Sequence, residues 1–205
     1  DPIGSRGLGD VYKRQVIPDR IEAGTFLIAV AATGGKVKLN NVEPKHMESV
    51  ISLLRKSNID IVEDKDSIIV TSNGLDIKAC DMETHEYPGF PTDLQAQWML
   101  LMSLASGDST IKENIYFDRF THILELNRLG CDVHLEKGSA AIKGDRSLIG
   151  ANVMSTDIRA SAALIIAALC AKGSTSISRV YHIDRGYDKI EEKLAKVGAK
   201  ITRKK

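Results

Sequence analysis

Three segments of the chain are apolar or small on almost every face, at residues 26–32, 98–105 and 160–171. A helix without a polar face is stable only when neighbouring elements cover it on all sides. These segments therefore predict three interior helices. Each one runs towards a glycine, and these glycines are Gly35, Gly107 and Gly173.

A second kind of helix is predicted after each glycine, with an apolar stripe on one side only. The stripe is clearest at Ile190, Leu194 and Val197, where charged residues stand between the apolar positions. The strand candidates are short and partly alternating, and they are residues 37–39, 59–62, 68–71 and 140–143. Together these elements predict an α/β fold that inverts the usual barrel, with helices inside and sheets outside.

The same order of elements recurs three times along the chain. Leu54, Leu126 and Leu194 of the second helices are 72 and 68 positions apart, and the three glycines are 72 and 66 positions apart. Two independent landmarks with nearly one period indicate an internal repeat. The period is too long for a typical solenoid, so we expect three units closed around a pseudo-threefold axis.

The stretch YPGFPTDLQAQW, residues 87–98, leads into the middle interior helix. Pro88 and Pro91 keep the backbone extended, so the helix begins abruptly after them. Thr92 or Asp93 could cap it, because a short oxygen-bearing side chain accepts hydrogen bonds from the free N–H groups of a first turn. The alternative is that Asp93 is a carboxylate held rigidly at the mouth of a cleft.

Positive side chains stand where the helix dipole disfavours them, at the predicted starts of helices. Arg119 opens the predicted second helix of the middle unit, Arg185 stands just before that of the last unit, and Arg159 lies in the first turn of the last interior helix. The first unit has Met47 at the position of Arg119, so the scaffold does not require an arginine. Arginines beside helix N-termini favour a site for an oxyanion such as a phosphate or carboxylate.

The alternative interpretation is that each arginine forms an ordinary ion pair with a nearby acid. Arg185 has Asp184 and Asp188 as neighbours in sequence, and Arg159 has Asp157. Pairs of this kind contribute little at a protein surface. Three arginines at equivalent ends of a threefold repeat favour the oxyanion site.

Composition excludes several other classes of function. The net charge is +1, from 28 basic and 27 acidic residues, so no one-sided field draws the chain to nucleic acid or to a membrane. The apolar run at 160–171 is too short to span a bilayer. Three distant cysteines without CxxC spacing argue against disulfides and zinc and suit a reducing cytoplasm. No HExxH, Walker or GxGxxG motif is present, and the five histidines are scattered.

Five stretches of the sequence resemble one family of enolpyruvyl transferases, the UDP-N-acetylglucosamine 1-carboxyvinyltransferases, which begin peptidoglycan precursor synthesis. In chain order they are residues 16–29, 87–98, 113–126, 155–164 and 181–199. The resemblance implies a protein of two similar inside-out α/β barrels with the active site in the cleft between them, of which this chain resembles only the second.

The residue pattern and the resemblance together predict a domain layout. Residues 1–15 show neither helical nor strand patterning, and we expect them to be foreign to the fold. Residues 16–205 would form the second domain, with repeat units at about 16–86, 87–150 and 151–205.

The family reaction transfers the enolpyruvyl group of phosphoenolpyruvate to the 3′-hydroxyl of UDP-N-acetylglucosamine, with release of phosphate and without a cofactor or metal. By resemblance, Asp93 is the general base, Arg185 moves onto phosphoenolpyruvate when the domains close, and Asp157 exchanges protons or orients partners. The expected partners are therefore these two substrates and the first domain of the same enzyme.

Four further positions match substrate-binding residues of the family by the same resemblance. Thr92 and Ile115 would line the nucleotide-sugar site, and Arg119 and Arg159 would balance the negative charge of the ligand. His122 occupies the stripe position that holds Val50 and Ile190 in the sister units; we expect it to be a satisfied core histidine.

The catalytic cysteine and the phosphoenolpyruvate-binding lysine of the family belong to the first domain, which is absent from this sequence. Cys80, Cys131 and Cys170 match no such motif and are expected to be small apolar fillers. The chain alone is therefore expected to bind substrates weakly and not to turn over. The alternatives are a shikimate-pathway enolpyruvyl transferase, whose motifs we do not find, and a non-catalytic half.

Overall fold

The computed structural model describes residues 16–204, which form six α-helices and nine strands within that range. The helices are α1 Arg20–Thr33, α2 Glu48–Lys56, α3 Gln95–Leu104, α4 Ile123–Arg128, α5 Ile158–Cys170 and α6 Ile190–Lys196. The strands are β1 Gly35–Asn40, β2 Asp60–Glu63, β3 Ser67–Ser72, β4 Met82–Glu83, β5 Ser109–Lys112, β6 Asp132–Glu136, β7 Ser139–Lys143, β8 Asn152–Met154 and β9 Ser176–Ser178. Three short 3₁₀ helices are Pro44–Met47, Thr92–Leu94 and Val180–Arg185. The predicted foreign segment, residues 1–15, lies outside the described residues.

Helices α1, α3 and α5 are the interior of the fold and pack against one another, as predicted. Most side chains of each are buried, including Leu27, Trp98 and Leu164. Because apolar residues are distributed all round these helices, other elements have to pack against them on every side. The apolar pattern along the sequence therefore identified the interior helices correctly.

Three sheets lie around these helices. The first is antiparallel with the order β1-β3-β2, the second has the order β4-β5-β7-β6 with β4 parallel to β5, and the third is the parallel pair β8-β9. Residues of β5 alternate between buried and exposed, so one face of its sheet packs on the helices and the other faces solvent. The predicted arrangement, with helices inside and sheets outside, agrees with this topology.

The three predicted glycine landmarks share one backbone conformation. Gly35, Gly107 and Gly173 have φ values of 115°, 97° and 97°, a region that side chains with a Cβ rarely adopt. The matched leucines of the second helices are buried in each unit, at Leu54, Leu126 and Leu194. The repeat predicted from the sequence therefore corresponds to three glycines of similar φ that each follow an interior helix, and to equivalent buried leucines.

The cysteines are free thiols that pack in or against the hydrophobic interior. Burial raises the pKa of Cys131 to about 11 and that of Cys170 to about 12. Both thiols therefore stay protonated at neutral pH, as expected for apolar fillers. Within residues 16–204 no group of three or more His, Cys, Asp or Glu side chains is arranged to hold a metal, and no helix is long and apolar enough to cross a membrane.

Candidate active site

Asp93 does not cap a helix. It lies in the 3₁₀ turn Thr92–Leu94, which follows the extended Pro91 and leads directly into α3, and neither helix start has a side-chain cap. The capping interpretation of Asp93 was therefore wrong. Its carboxylate is free to face other side chains, and about one third of the side chain is exposed to solvent (34%).

Two arginines from different parts of the chain hold the Asp93 carboxylate. Arg119 donates from Nη1 to Oδ1 at 2.8 Å, and Arg159 donates from Nη2 to Oδ2 at 3.3 Å. Burial opposes ionisation of Asp93, but the charges and hydrogen bonds of Arg159 and Arg119 outweigh it and hold the carboxyl pKa below 3.8. The aspartate is therefore ionised at neutral pH.

The two arginines reach Asp93 from different local structures. Arg159 is in the first turn of α5, as predicted, and its guanidinium lies 5.8 Å from the ring centre of Tyr187. Arg119 was expected to open the second helix of its unit, but it lies in a turn four residues before α4 begins. Its guanidinium lies 5.7 Å from the ring centre of Tyr116, so an aromatic face supports each cation.

Asp157 does not pair with the Arg159 guanidinium, contrary to the ion-pair alternative. Its Oδ1 accepts hydrogen bonds from the backbone N–H groups of Arg159 and Ala160, at 2.7 and 2.9 Å. This is the N-cap of α5. Asp157 thus fixes the helix start on which Arg159 stands, and Arg159 is left free to reach Asp93.

Arg185 is exposed at the end of the 3₁₀ helix Val180–Arg185 and forms no ion pair with any residue of the described range 16–204. Asp184, its suggested partner, pairs with Arg203 instead. An ideal Cβ built on Gly186 would lie 3.7 Å from Nη1 of Arg159. The backbone next to Arg185 therefore passes beside Arg159, although the Arg185 side chain forms no ion pair there.

Sequence analysis missed Glu113, a carboxylate that is 1% exposed. Its Oε1 accepts hydrogen bonds from the Thr84 hydroxyl and from the backbone N–H groups of Ile115 and Tyr116, and its Oε2 accepts one from the Thr92 hydroxyl. Ile115 itself is 41% exposed, at the surface of this loop. Glu113 is a single acidic residue with no counterpart at a regular spacing, so no sequence pattern indicated its role.

A buried polar group behind Arg159 was also missed. The hydroxyls of Tyr187 and Thr25 are 2.8 Å apart, and Gln97 Nε2 donates to Thr25 Oγ1 at 3.1 Å. Thr25 lies in α1, Gln97 in α3 and Tyr187 in the loop before α6, so no local pattern links them. The group anchors the tyrosine ring against which Arg159 lies.

His122 is buried as predicted (1% exposed), but its Nε2 has no hydrogen-bond partner among the described residues. Burial lowers its pKa from 6.5 to about 4; the Asp157 carboxylate opposes this and the Arg119 charge adds to it. The histidine is therefore neutral at pH 7. The expectation of a core histidine is confirmed, whereas its ring is not fully satisfied.

Replacing His122 with leucine is expected to make the free energy of unfolding less dependent on pH below about pH 6.5. The unfolded chain takes up the histidine proton near pH 6.5 and the folded chain only near pH 4, so stability falls as the pH drops between these values. The shift corresponds to about 3 kcal/mol. Urea unfolding of both proteins at pH 7 and at pH 4.5 measures the difference, and equal pH dependence in the two would contradict the expectation.

Comparison with known proteins identifies the fold and its relatives. A family profile described as EPSP synthase (3-phosphoshikimate 1-carboxyvinyltransferase) matches residues 5–194. A crystal structure of the enolpyruvyl transferase NikO from Streptomyces tendae superposes with a TM-score of 0.83 at 25% identity, covering 91% of this chain and 44% of that one. The likeness supports the inside-out α/β architecture.

Two curated relatives are both called UDP-N-acetylglucosamine 1-carboxyvinyltransferase. The protein of Geotalea uraniireducens is 48% identical over 98% of this chain and 48% of its own length. That of Aliarcobacter butzleri is 49% identical over 96% of this chain and 46% of its own length. The chain thus spans about half the length of the curated relatives it matches, and it belongs to the EPSP synthase family of enolpyruvyl (carboxyvinyl) transferases.

Proposed function

We propose that this chain supplies one side of the active site of an enzyme that transfers the enolpyruvyl group of phosphoenolpyruvate to the 3′-hydroxyl of UDP-N-acetylglucosamine, with release of phosphate. The observation that carries the proposal is the Asp93 carboxylate held between Arg119 and Arg159. It combines an ionised base with two cations that suit a phosphate or carboxylate ligand. The reaction would take place in the cytoplasm and would need no metal or cofactor.

Asp93 would accept the proton of the attacking sugar hydroxyl. With both arginines attached, the low pKa of its carboxyl makes it a weak base. An anionic substrate would compete for the guanidinium groups, and each hydrogen bond withdrawn from Asp93 would raise the pKa of its carboxyl. Binding of phosphoenolpyruvate would therefore strengthen the base at the moment it is needed.

The remaining predicted residues would act around Asp93 and its two arginines. Arg185, which is exposed and without an ion pair in the described range, is available to move onto phosphoenolpyruvate. Asp157 would keep Arg159 in place through the cap of α5. Thr92 and Ile115 would contact the nucleotide sugar. Thr92 accepts a hydrogen bond from Arg119, and the backbone N–H of Ile115 donates to Glu113.

The site is open on this chain alone. The side chains of Asp93, Arg119 and Arg159 remain 34%, 25% and 19% exposed to solvent. A catalytic site has to exclude water and position two substrates. We therefore infer that the first half of a full-length relative closes over the Asp93 face and that the isolated chain does not turn over.

The acceptor is assigned from the relatives. The two curated relatives near 48% identity carry the UDP-N-acetylglucosamine name, whereas the family profile carries the 3-phosphoshikimate name. Because the identity to the former is high over nearly the full chain, we favour the nucleotide sugar. Shikimate 3-phosphate is the acceptor of the second candidate.

Phosphate release from phosphoenolpyruvate tests the proposal. The chain is assayed alone, mixed with the first half of the Geotalea uraniireducens relative, and fused to that half, with each acceptor in turn. Release with UDP-N-acetylglucosamine in the mixture or the fusion, and not with the chain alone, is the expected result. Release only with shikimate 3-phosphate would transfer the assignment to that acceptor, and a folded fusion without release would leave a non-catalytic half.

A further inference from the structure

The buried carboxylate of Glu113 ties together the segments that carry the proposed site. One oxygen holds Thr84 and the backbone N–H groups of Ile115 and Tyr116, at 2.7 to 2.9 Å. The other oxygen is 3.0 Å from the Thr92 hydroxyl. Thr92 Oγ1 in turn lies 3.0 Å from Nη1 of Arg119.

The chemistry of these groups fixes the direction of each hydrogen bond. An ionised carboxylate only accepts hydrogen bonds and a guanidinium only donates them, whereas a hydroxyl has one hydrogen and two lone pairs. The hydrogen of Thr92 must therefore point to Glu113. A lone pair of the same oxygen then faces Arg119, whose Nη1 also donates to Asp93.

We propose that Glu113 is a positioning residue for the proposed reaction, which orients the Thr92 hydroxyl so that Thr92 and Asp93 together hold the Arg119 guanidinium. Only the catalytic role of Glu113 rests on the proposed function. The relay itself, from Glu113 through Thr92 and Arg119 to Asp93, is a property of this chain. Glu113 forms no hydrogen bond to Asp93 and acts through Thr92 and Arg119.

A glutamine at position 113 would reverse this relay with little change in shape. Three donors meet at Oε1, so the amide oxygen would remain there and the NH₂ group would face Thr92. Thr92 would then accept from the amide, and its hydrogen would point at the donors of Arg119. The guanidinium would lose an acceptor and meet a hydrogen in its place.

The first test is the titration of the Asp93 carboxyl carbon by NMR in this chain, for which no activity is needed. We expect a higher pKa of Asp93 in Glu113→Gln and a smaller rise in Thr92→Val. The double variant should titrate like Thr92→Val, because the misdirected hydroxyl is gone. Additive shifts in the double variant, or an unchanged Asp93 pKa in Glu113→Gln, would overturn the relay.

Two further variants guard against a merely structural effect. Glu125→Gln makes the same exchange at another buried carboxylate, which accepts a hydrogen bond from the backbone N–H of Met154 and has no contact with Thr92 or Arg119, so the pKa of Asp93 should not change. Thr92→Ser retains the hydroxyl, so the pKa of Asp93 in this variant should equal that in the parent chain. If Glu113→Gln does not fold, the contrast between Thr92→Ser and Thr92→Val decides: equal Asp93 titration in these two would overturn the proposal.

The same variants in the active mixture give the kinetic test. Misplacement of a positioning group costs up to about 100-fold in rate, so Glu113→Gln should lower kcat by about 10-fold to 100-fold, and Glu125→Gln should not. An active parent whose Glu113→Gln variant keeps full kcat would overturn the inference. An inactive parent with the expected Asp93 titrations would instead count against the proposed function and leave the relay intact.

Discussion

Replacement of Asp93 by asparagine is expected to lower kcat of the mixture with the first half by about 10²-fold to 10⁴-fold, the range attributed to a positioned general base. Asparagine has nearly the same shape but cannot accept the proton of the sugar hydroxyl. Its NH₂ group would also face a guanidinium donor, so it could satisfy only one of Arg119 and Arg159. Phosphate release measured over a range of substrate concentrations separates kcat from KM.

The folded state should survive this substitution. Asp93 is one third exposed and asparagine can still accept from one guanidinium, so the loss of the other charged hydrogen bond should cost roughly 1.5–3 kcal/mol. Asp108→Asn is the matched control, because Asp108 pairs with Lys143 at the surface and touches neither arginine of the site. Full activity of Asp93→Asn, or an equal loss in Asp108→Asn, would show that Asp93 is not the base.

Replacement of Trp98 by alanine is expected to lower the free energy of unfolding by about 3–5 kcal/mol. The indole is fully buried in α3 and packs edge-on against Phe90, with ring centres 5.5 Å apart. Truncation would leave a large cavity among helices that are themselves covered on every side. Urea unfolding followed by far-ultraviolet circular dichroism measures the change.

Two controls make the Trp98 result specific. Trp98→Phe keeps most of the ring volume and removes an indole N–H that has no partner among the described residues, so it should cost far less than the alanine variant. Phe117→Ala removes an aromatic ring that is 70% exposed and should leave stability almost unchanged. Equal losses in Trp98→Ala and Phe117→Ala would contradict the interior position of α3.

The interior helices could be predicted because their evidence is local. A run without polar residues can be stable only under full cover, and this correctly marked the segments that became α1, α3 and α5. The recurring glycines were equally visible, since a backbone with φ near 100° excludes most other residues at Gly107 and its two counterparts. Motif order along the chain was enough to identify the family.

The sequence by itself determined the interior helices, the threefold repeat and the residues that carry charge near the helix starts. Only the tertiary structure decided which charges meet: Asp93 pairs with Arg119 and Arg159, which are 26 and 66 positions away. It also assigned Asp157 to a helix cap and revealed Glu113 as the acceptor for four donors. The physical reason is that helical and strand periods are properties of neighbouring residues, whereas the partner of a charged side chain depends on how distant elements pack.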